Sequence, residues 1–235
     1  MTIISAIILA GGLGTRLRCV VPDLPKPMAP VCGRPFLAYN LDYWIRQGVN
    51  RFVLSVGYRH EAIIGYFGNS YKGAELVYVI EQTPLGTGGG LLLAAHEIGK
   101  NEPFLLLNGD THFAVNLKEL IEFSRANNAD WCFALFRTGE AGRYMGMKVS
   151  LQGRILLLKS GAEPSHHLVN GGVYWIQPRA LQGITAVSGD KVSLEDDIFP
   201  AAMASGRRMF GIEFSGSFID IGMPDDYHRA AKLLC

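Results

Sequence analysis

Ile3-Ile4-Ser5-Ala6-Ile7-Ile8-Leu9-Ala10-Gly11-Gly12-Leu13-Gly14-Thr15-Arg16-Leu17 is a short apolar run that breaks into three glycines within four residues. The apolar part, residues 3–9, reads as a strand buried on both faces, as a parallel sheet requires. The glycines form a turn whose backbone N–H groups no side chain screens. Glycine's access to unusual φ/ψ lets a chain of phosphates approach them. Arg16, and Lys26 in Pro25-Lys26-Pro27, add positive charge that the backbone cannot supply. The turn is not a Walker A loop, because no Gly-Lys-Ser/Thr follows. It is not the dinucleotide fingerprint, because Leu17 stands where the third glycine belongs and the ribose-binding acid about 20 positions on is missing. The plain alternative, a tight strand-to-helix turn, gives no role to Arg16 and Lys26.

Outward from this turn, strands and helices alternate. Strands are expected at 52–56, 76–80, 104–107 and 131–136. Helices are expected at 35–47, 61–67, 87–98 and 117–127. This alternation predicts an α/β fold, Rossmann-like, with a mostly parallel central sheet and helices on both faces. The pattern changes in the C-terminal half. Short strands at 147–151, 155–158 and 173–176 are separated by turns, so a strand-rich sugar-binding or lid insertion is expected there. A helix near 194–204, strands at 209–214 and 218–221, and a helix over 224–234 complete the chain. With 235 residues, 49% of them hydrophobic, one domain over 1–235 can bury a full core. Its nucleotide-binding part is expected mainly in 1–140 and its sugar-phosphate part in 141–235.

Composition excludes several functions. Net charge is +1 and no basic cluster exceeds Arg207-Arg208, so neither nucleic acid nor a membrane surface is an expected partner. No apolar run approaches the roughly 20 residues of a membrane span, and no signal peptide is recognised. Cys19, Cys32, Cys132 and Cys235 lack C-x-x-C spacing, and free thiols in a reducing cytoplasm are expected. The oligomeric state stays open, a homodimer included.

Several further stretches carry chemistry. Asn108-Gly109-Asp110 follows a buried strand, where ligands of open α/β sheets bind and where an Asp can hold a hard cation; a strand-ending turn explains it equally well. Asp220 lies inside the apolar run Phe218-Ile219-Asp220-Ile221, and a buried carboxylate must be paired or ligate a metal. If the two strand ends are neighbours, both aspartates can share one Mg²⁺. Glu81-Gln82-Thr83-Pro84-Leu85-Gly86-Thr87-Gly88-Gly89 opens a helix with groups able to read a nucleobase edge. Lys159, at the end of an apolar strand, suits either a phosphate or a snorkelling surface position. Asn170-Gly171-Gly172 can present an amide to sugar hydroxyls. Glu195-Asp196-Asp197 suits the first turn of a helix.

In this order, these motifs resemble the sugar-1-phosphate nucleotidyltransferases. The resemblance rests on Leu9-Ala10-Gly11-Gly12-x-Gly14-Thr15-Arg16-Leu17, Pro25-Lys26-Pro27, Pro84-Leu85-Gly86-Thr87-Gly88-Gly89, Asn108-Gly109-Asp110, Asn170-x-Gly172-x-Tyr174 and Asp220-Ile221-Gly222-x-Pro224. The stretch 24–30 and the loop 85–89 are most similar to guanylyltransferases of heptose 1-phosphate. Mannose-1-phosphate guanylyltransferases carry a similar loop, with alanine where this chain has Gly88.

The resemblance implies GTP and a sugar 1-phosphate as substrates, Mg²⁺ as cofactor, and GDP-sugar and pyrophosphate as products for surface-glycan synthesis. It implies catalytic roles for Arg16, Lys26 and Asp110. The nucleotide would be held by Leu9, Ala10, Gly11, Gly12, Gly14, Thr15, Arg16, Lys26, Gln82, Pro84, Leu85, Gly86, Thr87, Asn108 and Asp110. The sugar phosphate would be held by Gly109, Lys159, Asn170, Gly172 and Glu195, and the metal by Asp110 and Asp220. Many relatives have Glu-Lys-Pro where this chain has Leu158-Lys159-Ser160. Mannose-specific and uridylyl-transferring enzymes are the rivals within the class. A non-catalytic sugar-nucleotide-binding regulator would be expected to lack Arg16, Lys26 or an Asp, and a nicotinamide-dependent dehydrogenase needs the missing fingerprint.

Overall fold

A computed structural model of the chain describes residues 3–139, 143–159, 167–184 and 191–235. At its centre lies the strand Ser5–Ala10, parallel to Arg51–Val56 on one side and to Phe104–Asn108 on the other. Ala74–Ile80 continues the parallel set beyond Arg51–Val56. The strand-rich segment joins the same sheet. His167–Ile176 runs antiparallel to Phe104–Asn108 and to Trp131–Thr138, and Gly146–Val149 and Ile155–Lys159 add further antiparallel strands. Met209–Glu213 returns parallel to Trp131–Thr138. The sheet is therefore mixed, and parallel around the opening strand.

Burial explains why residues 3–9 are continuously apolar. Ala6, Ile8 and Ala10 point to a core shared with the helices Phe36–Arg46, His60–Phe67 and Leu117–Ala126. Ile7 points to the opposite core, shared with Gly86–Ala94 and Phe199–Ala204. Helices thus cover both faces, and a strand with two buried faces cannot alternate polar and apolar residues. A third cluster joins Leu17, Val31 and Phe36 to Ile219, Ile221 and Ala230, seating the C-terminal helix Pro224–Leu234 under the glycine-rich turn. Among the described residues no helix is long and apolar enough to cross a membrane.

The cysteine expectation needs correction. Cys19 and Cys132 are free, but Cys32 and Cys235 form a disulfide with Cα atoms 6.7 Å apart. Local spacing carried no trace of it, because the partners are 203 residues apart and only tertiary folding brings them together. Tyr227, whose hydroxyl donates to the Pro30 carbonyl at 2.6 Å, likewise ties the helix Pro224–Leu234 to the short hairpin of Pro30–Val31 and Arg34–Pro35 that carries Cys32.

One buried polar group makes stability depend on pH. Asn40 donates its amide to the Thr111 carbonyl at 3.0 Å, which leaves its Oδ1 to accept from His112 Nδ1 at 2.8 Å. Burial, aided by the charge of Arg46, lowers the His112 pKa from 6.5 to about 4. The folded state keeps His112 neutral while the unfolded chain takes up a proton. The stabilisation is complete above pH 6.5 and is lost as pH falls through 4, roughly 3 kcal/mol in all. Urea titrations between pH 7 and 4 should show this slope, and His112→Asn should flatten it. An equal slope in the variant would assign the loss to other groups.

Candidate active site

The carboxyl ends of the parallel strands open on a cavity of about 430 Å³. Such an edge is where α/β sheets bind ligands. The cavity brings together Leu9, Ala10, Gly11, Gly12, Gly14, Thr15, Arg16 and Lys26 from the first unit, Pro84, Gly86 and Thr87 from the second, and Asn108 and Asp110 from the third. Gln82 lines an adjoining cavity of about 370 Å³, beside Tyr58 and His60. Leu85 lines neither; its backbone is engaged with Glu81 and Val192.

Asp110 and Asp220 meet, by a route the sequence did not suggest. The neighbour of Phe218–Asp220 is the short strand Thr111–Phe113 that follows Asp110, with Asp220 opposite Thr111. Ile221 N donates to the Asp110 carbonyl at 3.0 Å. Both carboxylates converge on Lys26, whose Nζ is 2.5 Å from Asp110 Oδ2 and 3.7 Å from Asp220 Oδ1. Burial raises the pKa of Asp110, but the Lys26 charge and hydrogen bond outweigh it and hold the carboxyl below the usual range. Asp220 goes the other way: burial and the neighbouring Asp110 charge push it up, only partly offset by Lys26. One ammonium against two carboxylates leaves residual negative charge. The Asn108 Oδ1 beside them is buried without a hydrogen-bond partner. This hard-oxygen set fits a magnesium ion held by Asp110 and Asp220.

Glycine lets these groups approach. Gly14, at φ +60, would place a Cβ 3.2 Å from the Lys26 Cβ, and a Cβ on Gly222 would lie 3.1 Å from Lys26 Nζ. A Cβ on Gly11 would lie 2.2 Å from Glu81 Oε1. Glu81 opens the 81–89 stretch, but its carboxylate was not among the site residues expected there. It follows the strand Ala74–Ile80, bonds Ser55 Oγ at 2.8 Å and Leu85 N at 3.2 Å, and lines both cavities. A carboxylate directly after a buried strand was the available signal. Lys191, which also lines the main cavity, had none.

Among the described residues, none of the sugar-side candidates lines either cavity; Gly109, Gly172 and Glu195 adjoin residues that do. Gly109 donates its N–H to the Leu9 carbonyl at 2.9 Å, so it closes the sheet edge. Asn170 sits at a bulge in its strand; its amide donates to the Tyr174 hydroxyl at 2.7 Å and its Oδ1 accepts from Gly172 N. A Cβ on Gly172 would lie 2.8 Å from Asn108 Nδ2, which puts this bulge against the end of Phe104–Asn108. The Tyr174 phenol is pushed up by burial and by the charges of Glu195 and Asp110, so it stays protonated. Glu195 accepts from the Thr87 hydroxyl at 3.0 Å. Lys159 ends its strand opposite Gly146, and its side chain lies outside the described residues.

Known proteins resemble this chain along its length. Residues 5–235 match the family described as nucleotidyl transferase. The chain is 42% identical to the D-glycero-alpha-D-manno-heptose 1-phosphate guanylyltransferase of Aneurinibacillus thermoaerophilus, over 97% of each chain. It is 35% identical to the Campylobacter jejuni enzyme of the same name, over 95% of this chain and 97% of that one. The crystal structure of HddC from Yersinia pseudotuberculosis complexed with GMP-PN superimposes with a TM-score of 0.82 at 30% identity, covering 98% and 99% of the two chains.

The glycine contacts give a paired test. Gly11→Ala forces a methyl group into Glu81 and should lower Tm by about 5 °C, the cost of local overpacking. Gly12→Ala meets nothing within 4 Å and should melt like the parent. Thermal scans of both variants check this; equal melting temperatures would remove Glu81 from its place under the turn.

Proposed function

This chain belongs to the nucleotidyl transferase family, and from that premise we propose that it joins a sugar 1-phosphate to the GMP part of GTP. The products are a GDP-sugar and pyrophosphate. The observation that carries this reading is the convergence of Arg16, Lys26, Asp110 and Asp220 at a glycine-rich turn. D-glycero-α-D-manno-heptose 1-phosphate is the proposed sugar, supported by similarity over nearly the whole chain to guanylyltransferases of that name. Guanine is supported also by Glu81, since a carboxylate accepts hydrogen bonds and guanine's N1–H and N2 amino group offer donors side by side. A cytoplasmic location goes with these substrates.

A phosphate oxygen of the sugar 1-phosphate attacks the α-phosphorus of GTP. A new P–O bond forms there while the bond to the α–β bridging oxygen breaks, and pyrophosphate leaves with that electron pair. The attacking oxygen is already ionised at neutral pH, so the chain need not supply a general base. The obstacle is repulsion between two anions. The N–H groups of the 11–14 turn and the charge of Arg16 hold the triphosphate, and Lys26 stabilises charge at the reacting phosphates. Asp110 and Asp220 would hold the magnesium ion, which supplies Lewis-acid charge to the phosphate oxygens. On the sugar side, Lys159 would meet the phosphate, with Asn170 and Glu195 facing sugar hydroxyls. Rate then comes from positioning and electrostatics.

Pyrophosphate release from a panel of GTP, UTP, dTTP, CTP and ATP, each with heptose, mannose and glucose 1-phosphates, tests the assignment. GTP with the heptose should give the largest kcat/KM; a larger value for mannose or for UTP would replace the proposed substrate. Asp110→Asn should lower kcat at least about a hundredfold, as for loss of a charged partner in the transition state, and an unchanged kcat at saturating magnesium would take Asp110 out of the metal site. Lys26→Ala should lower kcat more than it raises the KM for GTP. The reverse split would mean uniform binding.

A further inference from the structure

The helix Gly86–Ala94 begins Gly86-Thr87-Gly88-Gly89-Gly90, a composition that suits a nucleotide passing close to the backbone. Another part of the chain occupies much of that space. The Val192 carbonyl accepts from Gly88 N at 2.8 Å and from Gly89 N at 3.2 Å, and Val192 N donates to the Leu85 carbonyl at 2.8 Å. A Cβ on Gly86 would lie 2.4 Å from the Val192 carbonyl oxygen. One on Gly88 would lie 2.8 Å from the side chains of both Val192 and Ile198. Gly86 and Gly88 thus make room for the segment that carries Glu195.

Thr87 is the polar side-chain link between the two among the described residues, beside the apolar packing of Leu91 with Leu194 and Ile198. Its hydroxyl accepts from Leu194 N at 2.8 Å and donates to Glu195 Oε2 at 3.0 Å. Ser193 Oγ donates to the same carboxylate oxygen at 3.2 Å. The proton and an acceptor position of the Thr87 hydroxyl are therefore engaged within the protein. Thr87 nevertheless lines the cavity beside Pro84 and Gly86, and Lys191 reaches that cavity from the docked segment. The 84–89 loop therefore reaches Glu195 through the Thr87 hydroxyl and the Val192 backbone, beside the apolar cluster that Leu91 shares with Leu194 and Ile198.

We propose that Thr87 is a positioning residue that fixes Glu195 for the sugar 1-phosphate and makes the two substrates bind cooperatively, rather than a direct contact to the nucleotide. This rests on the reading that Glu195 faces the sugar. Coupling of this kind is reciprocal: whatever factor the nucleotide adds to sugar-phosphate affinity, the sugar phosphate adds to nucleotide affinity.

The test combines calorimetry and steady-state kinetics on the full chain with Thr87→Val, Thr87→Ser, Glu195→Gln and the Thr87→Val/Glu195→Gln double variant. Binding of the imido analogue of GTP is measured with and without the best sugar 1-phosphate from the substrate panel. Thr87→Val should raise the KM for sugar 1-phosphate about tenfold or more, the scale of a lost hydrogen bond to a charged group. The analogue Kd measured alone should stay within about threefold, the cooperativity should vanish, and Thr87→Ser should restore it. The double variant should be no worse than the poorer single variant, because both remove one interaction. Should Thr87→Val fail to fold, Thr87→Ala carries the same expectations. A weakened analogue Kd with an unchanged sugar KM would overturn the proposal by making Thr87 a nucleotide contact. If Glu195→Gln leaves the sugar KM unchanged, the sugar-side reading falls and the proposal with it. If Glu195→Gln raises that KM and Thr87→Val does not, only the positioning role falls.

Discussion

The ammonium of Lys26 between Asp110 and Asp220 is the constraint around which the site is built. Its side chain is only 10% exposed, and two carboxylates so close together would repel strongly if nothing positive lay between them. Three distant stretches of chain must therefore arrive at one point. The turn after the first strand delivers Lys26, the end of Phe104–Asn108 delivers Asp110, and the return strand Phe218–Asp220 delivers Asp220. The third apolar cluster, which joins Leu17 and Val31 to Ile219 and Ile221, holds the first and last of these together. The disulfide and the Tyr227 hydroxyl add two more ties between the same parts.

Glycine has two uses here that sequence alone does not separate. Gly12 has open space around its Cα, as a backbone that receives a ligand should. Gly11, Gly14, Gly86, Gly88 and Gly222 are small because another part of the protein lies against them: Glu81, Lys26, Val192, Ile198 and Lys26 again. A motif rich in glycine can thus record close contact between chain segments as much as contact with phosphate. Thr87, which lines the main cavity, also bonds Leu194 and Glu195 of the segment packed against these glycines.

Much of the fold was legible because it rests on local patterns. The buried central strand, the alternation that follows it and the terminal helix after Pro224 all appear close to where periodicity and punctuation put them. The mixed character of the sheet was not legible. Whether a strand such as His167–Ile176 inserts beside Phe104–Asn108 depends on pairing between residues about 70 apart. The same limit hid Glu81, whose importance lies in its contacts with Gly11 and Ser55, and the Cys32–Cys235 bond, whose partners share no local spacing. The glycines of 11–14, Lys26 and Asp110 could be singled out beforehand because a glycine-rich turn and an acid at a strand end are local features, and they do line one cavity.

The charge balance connects the fold to the chemistry. A chain with net charge +1 has no global field to draw in anions, so any attraction for them has to be local. Arg16, Lys26, Lys191 and Asp110 line one cavity with the glycine-rich turn, and Asp220 lies beside it, 3.7 Å from Lys26 Nζ. On the proposed reading, acids beside bound phosphates would be counterproductive if the protein's own cations were the whole of the positive charge. Their presence, with negative charge left over after Lys26, makes sense for a site completed by a divalent ion. Burial and the neighbouring Asp110 charge raise the pKa of Asp220, a strain that further positive charge beside the two carboxylates would relieve.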